Sequence, residues 1–148
     1  MWSVIVYDKH KKELNVITDF LCKKPLYVHI PTCSISSEIK SLCDKHYEYT
    51  ENQLFFSRVG KWGYCNSNDT FFNEIAKIPP YQHCKWYYNK DTIKFESKTW
   101  GKLCGKKIDL KKEIHNSVQN RLIADIPISL LLSGGIDSAV ALALAIKA

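Results

Sequence analysis

A glycine-rich loop between two apolar segments places the strongest constraint on how this chain folds. Residues 128–132 read ISLLL, residues 133–138 read SGGIDS, and residues 139–148 are rich in Ala and Leu. The apolar run has little polar alternation, which predicts a strand buried on both faces of a parallel sheet. The segment after the loop has high helix propensity. A buried strand, a glycine loop and a helix in this order are typical of the opening of an α/β nucleotide-binding sheet.

The composition of the loop predicts an anion site. Gly134 and Gly135 let the backbone approach a phosphate without an intervening Cβ, and the following helix points free N–H groups and its positive dipole end at the anion. Ser133 and Ser138 add hydroxyl donors. Asp137 would repel a phosphate that it faced directly, so we expect it to cap the helix or to hold a Mg²⁺ ion. The Walker A lysine is missing, and the alternative is a tight strand-to-helix turn that binds nothing.

An amphipathic helix is predicted immediately before this region. Asp109 is a good N-cap residue, and we expect Pro127 to end the helix. The apolar residues recur every four positions and form one stripe: Leu110, Ile114, Val118 and Leu122. The preceding segment, residues 101–107, is basic and contains glycine, which is typical of a linker.

The first hundred residues predict short strands and turns. The strands are expected at residues 4–7, 14–17, 25–30, 84–88 and 92–95, with the first two forming a hairpin and the last two flanking a turn at residues 89–91. A short helix is predicted at residues 36–42 with Ser36 at its N-cap, and another helical turn between residues 70 and 78, ended by Pro79 and Pro80. Residues 44–70 are polar and predict no regular element.

Charge and cysteine content narrow the class of protein. The net charge is +6, and nineteen of the 21 basic residues are scattered lysines, which favours a solvated surface over a nucleic-acid interface. The six cysteines show no C-x-x-C spacing, so we expect reduced, mostly buried thiols rather than a zinc or redox site. No apolar run approaches the roughly 18 residues of a membrane helix, and the first residues lack the features of a signal peptide. We therefore expect a cytoplasmic protein without membrane or nucleic-acid partners.

The longer motif around the loop resembles one family. Residues 121–138 read RLIADIPISLLLSGGIDS, which resembles glutamine-dependent asparagine synthetase more than GMP synthetase, NAD synthetase or the tRNA-modifying members of the PP-loop ATP pyrophosphatases. The first half of the chain carries separate motifs that resemble the same family. Its YD at residues 7–8, KPLY at residues 24–27 and SSEIKSL at residues 36–42 resemble the end of that family's glutaminase domain, in the family's order.

The resemblance implies a fold and a domain division. The fold class is α+β: a partial antiparallel β segment of an N-terminal-nucleophile-type glutaminase, followed by the first helix, strand, loop and helix of an α/β PP-loop domain. Residues 1–100 correspond to the C-terminal part of a class II-like glutamine amidotransferase domain. Residues 101–108 form the linker, and residues 109–148 begin the ATP-binding synthetase domain, truncated here. We expect the remainder of both domains to lie outside this sequence.

The resemblance also implies a reaction and a set of ligands. In this family glutamine is hydrolysed at one site and the ammonia passes to a second, where ATP activates aspartate as an aspartyl-adenylate. The cofactors implied are ATP and Mg²⁺, and the substrates of the complete enzyme are aspartate and glutamine. The residues that match the family's ATP- and pyrophosphate-binding positions are Leu132, Ser133, Gly134, Gly135, Asp137 and Ser138, with Asp137 as the Mg²⁺ ligand and Leu132 near the adenosine.

Several positions depart from the family pattern. The glutaminase nucleophile of the family is an N-terminal cysteine, whereas this sequence begins Met1-Trp2. We therefore assign no catalytic residue in this chain. We also expect little or no asparagine synthesis by these residues alone. Thr18 stands where the family usually has Arg, and Cys22 and Tyr81 where it has Gly. Because each Gly marks a special backbone conformation, the turns there are expected to be altered.

Three alternatives follow. The chain is a segment of an enzyme completed by a second chain or acting in a homodimer, an inactive remnant that retains nucleotide or protein binding, or a relative such as a β-lactam synthetase.

Overall fold

The computed structural model describes residues 1–65, 68–89, 92–101, 105 and 107–147. The chain divides into two compact units, Met1–Lys102 and Leu103–Ala148. The elements of the first unit, in chain order, are β1 (Ser3–Asp8), β2 (Glu13–Thr18), β3 (Tyr27–His29), β4 (Ser34–Ser36), α1 (Gln53–Trp62), β5 (Ile75–Lys77), β6 (Gln82–Asn89) and β7 (Thr92–Thr99). The second unit contains α2 (Leu110–Gln119) and α3 (Ile136–Lys147).

The larger sheet of the first unit has four antiparallel strands in the order β1-β2-β6-β7. The hairpin β1–β2 closes because the Asp8 carboxylate accepts the backbone N–H groups of His10 and Lys11 at 2.9 and 3.0 Å, and Lys12 turns the chain at a φ of 53°. The predicted hairpin is therefore confirmed. The predicted strands at residues 84–88 and 92–95 are also present and are longer than expected, while Lys90 and Asp91 of the intervening turn lie outside the described residues.

The smaller sheet has three antiparallel strands in the order β4-β3-β5. The apolar faces of the two sheets pack together, because period-two alternation places Val16, Cys84 and Trp86 of the larger sheet and Val28 of the smaller one in a single buried cluster. Val16 and Cys84 are at most 1% exposed. The antiparallel sheets and the helices confirm the mixed α and β class expected from the sequence.

One predicted strand of the first unit is shorter than expected, and three other local predictions are wrong. The strand at residues 25–30 is only Tyr27–His29. Residues 36–42 are not a Ser-capped helix: Ser36 ends β4, and a 3-10 turn at Ile39–Leu42 follows Glu38 without a side-chain cap. Residues 70–78 contain the strand β5 (Ile75–Lys77) instead of a helical turn, because pairing with β3 satisfies the backbone groups of those three residues. Residues 44–70 are not wholly irregular, because they contain α1.

Helix α1 has signals at both ends that the sequence analysis missed. The Asn52 side chain accepts the Phe55 N–H at 3.1 Å, which is an N-cap. Gly63 ends the helix at a φ of 76°, and its N–H donates to the Val59 carbonyl, which is an αL C-cap. An Asn followed by an apolar run and a Gly is a readable helix signature, although no buried residue lies on α1.

In the second unit, the predicted start of helix α2 is confirmed and its predicted end is not. Asp109 caps α2 by accepting the Lys112 N–H at 3.2 Å, but α2 ends at Gln119, well before Pro127. Residues 128–132 are not a buried strand: they pair with no strand among the described residues, and Leu131 is 95% exposed. A parallel strand requires a neighbour to accept and donate its backbone hydrogen bonds, and the described part of this unit supplies none.

Among the described residues, neither the length nor the apolarity of any helix suffices to cross a lipid bilayer.

Candidate functional site

The glycine loop joins the extended segment 128–132 to the first turn of α3. Gly134 has a φ of 78°, a left-handed conformation that favours glycine, and the space that a Cβ would occupy there is open. Gly135 has no such φ, and a Cβ on it would meet only the Ser133 hydroxyl at 3.4 Å. The conformational requirement of the loop therefore rests on Gly134, although the sequence predicts the same role for both glycines.

Hydrogen bonds between its own residues hold the loop in shape. The hydroxyl oxygens of Ser133 and Ser138 lie 3.2 Å apart, and the Ser138 hydroxyl donates to the Gly135 carbonyl at 2.9 Å. The Gly135 carbonyl also accepts the Ala139 N–H at 3.1 Å, the first turn of α3. Because the single Ser138 hydroxyl proton goes to the Gly135 carbonyl, Ser133 is the donor in the contact with Ser138. The donors that remain for an anion are the first backbone N–H groups of α3.

The charged side chains near the loop determine what an anion bound there would require. Asp137 lies exposed in the first turn of α3, where a carboxylate is stabilised by the helix dipole. Between Arg121 and Lys147 the sequence contains no Lys, Arg or His, so no local side chain neutralises a polyphosphate. A polyphosphate bound here would need a divalent cation for that charge, and Mg²⁺ is commonly held by one or two carboxylates together with phosphate oxygens and water.

The residues fit such an ion without a preformed metal cage. In the described part of the chain, no group of three His, Cys, Asp or Glu side chains is arranged to hold a metal. Asp137 is thus a single carboxylate beside an open, glycine-lined loop, which suits a metal that arrives bound to phosphates. Leu132, which the family resemblance places near an adenosine, is 56% exposed at the edge of the loop, so its side chain is free to contact a ligand.

The first unit explains two departures from the family pattern. Cys22 and Tyr81, which stand at glycine positions of the family, have φ values of 47° and 59°. The expectation that the turns at these two positions are altered is therefore wrong, because both residues keep a left-handed backbone at a steric cost. Tyr81 packs its ring against Trp100 at 4.6 Å and Phe20 at 5.2 Å between centroids, and a Cβ added to Gly101 would overlap the Tyr81 hydroxyl.

Thr18 stands where the family usually has Arg and is fully buried. Its hydroxyl donates to the Pro79 carbonyl at 2.7 Å and accepts the Gln82 N–H at 3.2 Å. The Trp100 indole N–H donates to the Thr18 carbonyl at 2.8 Å. Thr18 therefore ties the end of β2 to the start of β6 and to the segment after β7.

The buried thiols of the first unit are poor candidates for nucleophiles. Burial raises the pKa of Cys84 to about 11, and it also raises the pKa of Cys22. A thiol attacks as its thiolate, so both groups are inert at neutral pH. Cys43 is exposed, and its thiol donates to the Ile39 carbonyl at 3.4 Å. Cys104 lies outside the described residues.

Comparison with protein families gives two matches. The family model of a glutamine amidotransferase domain matches residues 1–100, and that of asparagine synthase matches residues 109–148. No curated protein matches the chain. The two family matches follow one another in the order expected from the sequence, and they confirm the resemblance on which the interpretation of residues 121–138 was based.

Proposed function

The chain belongs to the glutamine amidotransferase domain family and continues into an asparagine synthase segment, and from this we propose that it serves ATP-dependent transfer of glutamine nitrogen to a carboxylate. The family is one of glutamine-dependent amidation. The more specific reaction we propose is the conversion of aspartate to asparagine through an aspartyl-adenylate, with pyrophosphate released. In this proposal residues 133–138 hold the β- and γ-phosphates of ATP.

The conformation of the SGGIDS loop is the observation that carries the nucleotide proposal. Gly134 adopts a left-handed φ at the entrance to α3, and the adjoining space is open. This combination lets backbone N–H groups face an anion at the positive end of a helix of twelve residues. The Ser133 and Ser138 hydroxyls become additional donors only by giving up their bonds to the Ser138 oxygen and the Gly135 carbonyl, respectively.

Asp137 has a separate role in this proposal. ATP brings three or four negative charges to a loop whose own charged side chain is acidic, so Mg²⁺ supplies the neutralising charge when bound. We propose that the Asp137 carboxylate contacts that ion and thereby orients the β- and γ-phosphates. Leu132 is proposed to pack against the adenosine. Binding should therefore require the metal, and free ATP should bind much more weakly than Mg·ATP.

Titration calorimetry with Mg·ATP on the chain of residues 1–148 tests the proposal. We expect binding that inorganic pyrophosphate competes away and that EDTA abolishes. Gly134→Ala forces an L residue into a left-handed conformation and should weaken binding at least tenfold. Gly135→Ala and Gly60→Ala are the matched controls, because neither position has this φ. Gly135→Ala should weaken binding less than Gly134→Ala does, and Gly60→Ala should not weaken it at all.

Asp137→Asn tests the proposed metal contact independently of the shape of the loop. The amide retains the side-chain shape and removes the charge, so the dependence of binding on Mg²⁺ should become weaker. The proposal fails if 1 mM Mg·ATP does not bind to the parent chain, or if Gly134→Ala binds it as tightly as Gly60→Ala does.

A further inference from the structure

No further inference is drawn: the strongest candidate, the apolar cavity between the two sheets of the first unit that Val28, Cys84 and Trp86 line, carries none because nothing in the described part of the chain shows what covers it.

Discussion

Thr18→Val should destabilise the first unit far more than its small change in shape suggests. The substitution keeps the β-branched outline of the side chain and removes the hydroxyl. That hydroxyl is fully buried. It donates to the Pro79 carbonyl at 2.7 Å and accepts the Gln82 N–H at 3.2 Å. Valine leaves both backbone groups without this partner at a half-buried position.

The expected magnitude follows from those two contacts. A buried polar group that loses its partner costs roughly 1–3 kcal/mol. The added methyl group returns about 0.8 kcal/mol of apolar burial. For two such groups the free energy of unfolding should therefore fall by about 1–5 kcal/mol, which for a unit of this size lowers the melting temperature by roughly 5 °C or more.

Urea denaturation followed by tryptophan fluorescence measures the effect, because Trp100 bonds to the Thr18 carbonyl. Thr99→Val is the matched control on an exposed strand position, where the hydroxyl accepts the Gln82 side-chain amide at 3.1 Å and water replaces it. The control should change stability by no more than about 0.5 kcal/mol. If the two variants lose the same stability, the buried hydroxyl does not hold β2 to β6, and the reasoning is refuted.

Three other predictions concern the backbone, pH and thiol reactivity of the same unit. Lys12→Gly relieves a left-handed φ and should stabilise the chain by about 0.5–1 kcal/mol in urea denaturation, whereas Lys11→Gly should destabilise it. Hydrogen bonds from the backbone N–H of residue 2 and those of three nearby residues lower the pKa of Asp19. Its contribution to stability is therefore present above pH 4 and is lost as the pH falls through the lowered value. Asp19→Asn should flatten the acid side of the stability profile, and an unchanged profile would contradict this. Cys43 should react with a thiol reagent at pH 8 in the folded chain, and Cys84, with its pKa of about 11, only after unfolding, as peptide mass mapping would show.

Local signals predicted the elements that depend on local interactions. The start of α2 was readable because Asp109 provides its own cap, and the β1–β2 hairpin because Asp8 closes its turn. Strand β5 was mistaken for a helical turn because its conformation depends on pairing with β3, nearly fifty residues earlier. Residues 128–132 show the same dependence on pairing. This apolar run forms no strand, because an apolar run becomes a strand only when a neighbouring strand pairs with it.

The candidate site could be located from sequence because its residues are contiguous. Spacing alone did not show that Gly134 carries the left-handed conformation while Gly135 does not, because that difference depends on backbone angles. The role of Ser138 was also beyond the sequence, since its hydroxyl is engaged by the Gly135 carbonyl. Binding of Mg·ATP by these residues stays a prediction.

The packing of Tyr81 has a consequence for how this chain can vary. Its ring lies against Trp100 and Phe20, and its hydroxyl occupies the space that any side chain at position 101 would need. Returning glycine to position 81 would relieve the backbone but leave that aromatic contact empty. Tyr81 therefore restricts position 101 to glycine, whereas Gly101 leaves position 81 open. A side chain can enter position 101 only after Tyr81 has been replaced, so the two substitutions are tolerated in one order and not in the other.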